Sequence, residues 1–163
     1  MSAIAWLKKR PDGMADLSDE EQALISEFSL LWSYFEAKLL NESASAKAIL
    51  DLAREMEAAG QIDEEMLEQP INYFRKRYVA GGKFTPHHHH LHLRANDYPA
   101  MVEDMLFARN QSKADLLASA LVIVYRYRNN LFHGPKWAYG IRGQSENFST
   151  AISLMMRILE IRK

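Results

Sequence analysis

Residues 112–135 read SKADLLASALVIVYRYRNNLFHGP, and the fold is decided by how this stretch is read. Ser112 supplies the side-chain oxygen that caps the free N–H groups of a first helical turn, while Gly134 and Pro135 cannot comfortably continue a helix. The segment therefore predicts one long helix over about Lys113 to Leu131. Within it Leu117, Leu121, Val124, Arg128 and Leu131 recur at spacings of four and three, the period of one helix face. Arg128 thus falls in an otherwise apolar stripe. A buried guanidinium without partners is expensive, so Arg128 must pair with a carboxylate, line a cleft or lie at an interface.

Outward from this helix the chain keeps the same character. Ser18 with Glu21 three positions on has the pattern of a capping box, and Leu24, Phe28, Leu31, Phe35 and Leu39 follow at helical spacing, so a helix runs to about Leu40. Glu36, on the edge of that apolar face beside Trp32 and Leu40, is the expected partner for Arg128. A plain structural salt bridge is one reading of such a pair. A second helix spans about Ser45 to Ala59, with Gly60 as its stop, and Asp63 can cap a third that Pro70 should kink or delay. Residues 81–97 form an irregular, histidine-rich loop. Helices over about Pro99–Arg109 and Glu146–Ile161 complete the set, with no strand set of any size and no internal repeat.

Composition narrows the function classes. At 163 residues the chain suits one domain, and 48% hydrophobic with 25% charged residues is ordinary for a globular protein. No cysteine is present, which excludes disulfides, thiolate nucleophiles and sulfur-ligated zinc, and fits a reducing, cytoplasmic setting. The start of the chain lacks the features of an export signal and no stretch suits a membrane span, so no membrane association is expected. A net charge of −1 argues against a general polyanion grip, so any nucleic-acid contact must come from a local basic patch.

His133 is the only histidine outside the run at positions 87–92. Five residues of helix separate it from Arg128, a rotation of about 140°, whereas Asn129, four residues back, is only about 40° away. Asn129 could therefore orient the imidazole while the longer Arg128 side chain reaches round. A histidine at a helix C-terminus also gains from the dipole, and that alone could account for it.

Arg128, Asn129, Asn130, Leu131, Phe132 and His133 together resemble the motif of the HEPN superfamily: arginine, a polar residue, three more residues, histidine. The resemblance covers that motif, with looser support from the helical layout over residues 18–162. The helices read above make an all-α, single-domain up-and-down bundle of about five to six helices over residues 1–163, with an N-terminal arm at about 1–17. The resemblance implies the same setting, the motif near the end of a long helix in a four- or five-helix up-and-down bundle. It also implies a metal-independent endoribonuclease without cofactor, acting on RNA as a homodimer in which two copies of the motif meet. Arg128, His133 and Asn129 would be catalytic, with Glu36 and Asn130 in support. Toxin or defence roles, with a protein antitoxin or other regulator, belong to the same expectation. The alternative is a catalytically silent HEPN-like module that binds RNA, nucleotide or a protein partner.

Around the motif, Arg126, Lys136, Trp137 and Arg142 are candidate RNA contacts, and Tyr125, Tyr127 and Tyr139 add aromatic faces that equally suit packing. Arg75, Lys76 and Arg77 add positive charge that a solvated helix face explains. In the histidine run, His88, His90 and His92 would share one face if extended, a spacing compatible with zinc or nickel. Adventitious affinity on a mobile loop is the preferred reading, so no physiological metal is expected.

Overall fold

Local capping chemistry sets the helix starts. Ser18 accepts from the Glu21 N–H while the Glu21 carboxylate accepts from the Ser18 N–H, which opens α2 (Asp19–Leu39) after a short α1 (Ala3–Leu7). Ser45 caps α3 (Ala46–Ala58), and Asp63 accepts from the Met66 N–H at 2.6 Å to open α4 (Glu64–Tyr78). Pro70 lies inside α4 without delaying its start. This is a computed structural model, and it describes residues 2–10, 15, 17–133 and 143–163.

The stretch expected to be irregular is partly ordered. Val79–Ala80 (β1) pairs antiparallel with Lys83–Phe84 (β2). Gly81 (φ 57°) and Gly82 (φ 72°) make the turn, both in the left-handed region that a two-residue hairpin of this kind requires. A short α5 (Pro86–His89), a 3-10 turn (Ala95–Asp97) and α6 (Pro99–Leu106) follow. Then come α7 (Lys113–Phe132), capped by Ser112, and α8 (Ser145–Ile161). The architecture is an all-α helical bundle with one very small hairpin, and among the described residues no helix is long and apolar enough to cross a membrane.

α7 is the axis of the bundle. It packs on α3 and α6, also touches α4 and α8, and α2 packs against α8. Every residue from Leu117 to Val124 is buried, so this part of α7 has no solvent face at all. Each fully buried Leu, Val or Ile there contributes about 1.5–3 kcal/mol, so packing rather than intrinsic propensity holds the β-branched run Val122-Ile123-Val124 in a helix. One hydrophobic cluster joins Phe28 and Phe35 of α2, Ile49 and Met56 of α3, Phe74 of α4, Met105 of α6 and Phe148 and Met155 of α8 to that axis.

Candidate functional site

The last turn of α7 carries the motif. His133 is its C-cap (φ −113°, ψ 26°), and its N–H donates to the Asn129 carbonyl at 2.9 Å, so the imidazole leaves from the final hydrogen-bonded residue into solvent. Asn129 is largely buried. Its side-chain oxygen accepts from the Arg128 guanidinium at 3.1 Å, which ties that amide to Arg128. Arg128 is half-buried, with its guanidinium carbon 5.4 Å from the centre of the Phe132 ring. Phe132 itself is 55% exposed. The structure thus joins Arg128 to Asn129 and sets His133 one turn further on, at an open helix end.

Glu36 is not the partner of Arg128. Its two carboxylate oxygens accept from the Trp32 indole N–H at 2.9 Å and from the Ala44 N–H at 3.0 Å. It fastens the turn between α2 and α3, where Asn41 (φ 51°) and Glu42 (φ 56°) are left-handed. Tyr125 joins that corner, stacking on Trp32 with ring centres 5.9 Å apart and donating from its hydroxyl to the Ala44 carbonyl at 3.3 Å. Packing accounts for Tyr125. Among the described residues no carboxylate pairs with Arg128.

The buried arginine of α7 is Arg126, which had been expected as a surface contact for RNA. Its side chain is only 3% exposed and faces Asp97, 4% exposed, at 3.4 Å. Its Nε donates to the Leu91 carbonyl at 3.1 Å and one terminal nitrogen to the Asn130 side-chain oxygen at 3.4 Å. Burial pulls the Arg126 pKa below the ordinary arginine value, and Asp97 opposes that pull. Arg126 is therefore spent inside the protein and offers nothing to phosphate. Asn130 is buried too, donating to the His90 and Leu91 carbonyls at 3.0 and 3.2 Å, so its support runs to the histidine turn rather than to RNA.

That turn is not extended, and His88, His90 and His92 do not share a face as expected. Pro86–His89 is helical, and the His88 ring lies flat on Phe84, with centres 3.7 Å apart and planes 11° apart. His89, His90 and His92 group on their own, with pairwise ring-centre distances of 6.1, 5.8 and 6.5 Å. Burial holds the His88 imidazole below its ordinary pKa of 6.5, and its buried Nε2 finds no hydrogen-bond partner among the described residues. The fold thus favours neutral His88, while the unfolded chain binds a proton at higher pH. This contribution to stability is full above about pH 6.5 and is lost as pH falls from there through the lower folded value. His88→Phe keeps the stacked ring without the titration. Between pH 7.5 and pH 5.5 the urea midpoint of the parent is expected to fall further than that of His88→Phe, and equal falls would refute this account.

Other polar residues resolve into structure. Tyr127 is buried, its hydroxyl 2.6 Å from that of Tyr78 and donating to the Asn147 side-chain oxygen at 3.0 Å, where the Tyr73 hydroxyl also donates at 2.7 Å. Burial pushes Tyr78 and Tyr127 well above the ordinary tyrosine value, so both hydroxyls stay protonated. Arg75 donates to the Met105 carbonyl at 2.8 Å, while Lys76 is exposed and Arg77 half-buried, so the three cations do not form one solvated face. Lys136, Trp137, Tyr139 and Arg142 lie outside the described residues. Sequence reading missed the Asp97–Arg126 pair and the Tyr73–Asn147–Tyr127–Tyr78 network, which joins α4, α7 and α8.

Compared with known protein families, with curated proteins and with solved structures, the chain finds no match.

Proposed function

We propose that this chain is a metal-independent endoribonuclease of HEPN type, working as a homodimer in which Arg128 and His133 of two copies form one composite site. One observation carries the reading: at the open end of α7 a guanidinium without a carboxylate partner among the described residues stands within the same two turns as an exposed imidazole. Structural arginines are normally paired, as Arg126 is. An arginine that is half-buried and, among the described residues, held by a neutral amide and an aromatic face keeps its fork of donors for an anion.

The chemistry follows from those groups. Neutral imidazole removes the proton of a ribose 2′-hydroxyl, the 2′-oxygen attacks the adjacent phosphorus, and the bond from phosphorus to the 5′-oxygen breaks as an imidazolium protonates that leaving oxygen. Arg128 neutralises the charge that builds on the non-bridging phosphate oxygens. One chain offers His133 for one proton transfer, and a second copy related by a two-fold axis supplies the other. Asn129 positions Arg128. The setting fits a cytoplasmic protein, and a regulator restraining such an activity, in a toxin or defence role, is part of the same proposal.

The experiment is to incubate RNA of mixed sequence with the protein in excess EDTA and identify the new ends. Fragments with 2′,3′-cyclic phosphate and 5′-hydroxyl ends, formed at the same rate with and without chelator, are expected. Ends bearing 5′-phosphate, or cleavage abolished by the chelator, would overturn the mechanism. RNA that is bound but left intact would replace the enzyme with the silent binding module.

A further inference from the structure

The outer face of α2 carries groups that the bundle and the proposed nuclease site do not use. Glu27, Leu30, Ser33, Tyr34, Ala37 and Lys38 are all exposed and fall on one stripe of the helix. Leu30, at 74%, is the most exposed large hydrophobic among the described residues, and Tyr34, one turn on, is exposed with Met156 of α8. Tyr34, Lys38, Met156 and Leu159 line a groove of about 440 Å³ between the two helices. Large apolar side chains grouped in this way mark an interaction surface. The charges on the stripe are Glu27 at one end and Lys38 at the other, and neither has an ion-pair partner among the described residues. Lys38 lies over the Tyr34 ring, 5.7 Å from its centre.

Acid, apolar, apolar, base is an order that complements itself when reversed. Two copies of α2 laid antiparallel about a two-fold axis level with Trp32 put each Leu30 at the height of the partner's Tyr34. Glu27 and the partner's Lys38 then differ in height by about 1.5 Å, one helical rise. The short side chains of Ser33 and Ala37 let the two helices approach. A parallel pair would instead set Glu27 against Glu27 and Lys38 against Lys38. We propose that this face of α2 docks a second copy of the chain antiparallel, Leu30 meeting the partner's Tyr34 and Glu27 the partner's Lys38. The contact is isologous and closes on its own axis. It is distinct from the composite nuclease site. Tyr125 stacks on Trp32, while Tyr127 meets Phe148, which meets Phe28, so α7 runs against α2 and carries Arg128 and His133 toward the start of α2. Antiparallel pairing of α2 therefore holds the two motif ends apart.

Molar mass by light scattering reads this contact without RNA. The parent is expected to have twice the mass of Leu30→Asp, whose unfolding midpoint should stay close to the parent's because Leu30 is exposed. Glu27→Lys and Lys38→Glu each set like charges together at both ends of the contact. Each should raise the dissociation constant, read by sedimentation equilibrium, roughly fivefold or more. The double variant Glu27→Lys/Lys38→Glu restores both pairs and should return to within about twofold of the parent. If the motif ends also pair through another surface, both masses double and their ratio stands, so failure of the nuclease reading leaves this test intact. Equal masses for the parent and Leu30→Asp overturn the proposal and leave the face to a different protein. Association that the single reversals leave unchanged, or that the double reversal fails to restore, overturns the antiparallel pairing.

Discussion

His133→Ala is expected to slow RNA cleavage by about 10²–10⁴-fold, the range by which positioned acid–base catalysis accelerates a proton transfer. The fold should barely notice. The imidazole is exposed, and the hydrogen bond that ends α7 is made by the main-chain N–H of residue 133, which alanine retains. A rate loss of that size with an almost unchanged unfolding midpoint separates a chemical role from a structural one. Arg128→Lys sharpens the result, because lysine keeps the charge but lacks the planar fork that meets two phosphate oxygens. It should remain severalfold below the parent even at saturating RNA. If His133→Ala cuts RNA as fast as the parent, the proposed function fails, whatever Arg128→Lys does.

Helix positions were legible because their signals are local. Ser18 with Glu21, Ser45, Asp63 and Ser112 each cap the helix that the sequence puts behind them, since a cap needs only the next turn of its own chain. The hairpin at Val79–Phe84 escaped notice because two-residue strands carry no alternation to read, although the Gly81–Gly82 pair marks the turn. Periodicity misled in α7. A stripe identifies a buried face only when the opposite face is polar, and Leu117–Val124 is apolar on every side but for Ser119, so extending a stripe from Leu117 to Arg128 had no unique answer. The partner that distinguishes Arg126 from Arg128 is Asp97, which arrives from the 3-10 turn before α6 and leaves no trace near either arginine in sequence. The same limit applies to Glu36, whose oxygens are taken by Trp32 and Ala44 through a left-handed turn that spacing does not reveal. By contrast, the placement of Arg128, Asn129 and His133 together at one helix end was legible because they lie within two turns of one helix.

Arg126→Met is expected to lower stability by about 3–5 kcal/mol, the usual cost of removing one partner from a buried ion pair. For a domain of this size the thermal midpoint should fall by roughly 6–20 °C. Methionine matches much of the stem's volume, so the loss comes from what is left behind: the Asp97 carboxylate without its cation, and the Leu91 carbonyl and Asn130 side-chain oxygen without a donor. Asp97→Asn makes the complementary change while still offering an oxygen to the Arg94 N–H, which Asp97 now accepts at 2.8 Å. If the pair acts as a unit, Asp97→Asn should add little once Arg126 is methionine. The double variant then costs less than the sum of the two singles, by about 0.5–3 kcal/mol in a cycle of urea denaturation. The comparison also separates Arg126 from Arg128. Arg128 has no buried charge to abandon, so Arg128→Met should cost well under half as much stability while removing cleavage. Single costs that add within about 0.5 kcal/mol would mean that Asp97 and Arg126 are neighbours without being partners, and the anchoring of the histidine turn would then fall to Asn130 and Leu91 alone.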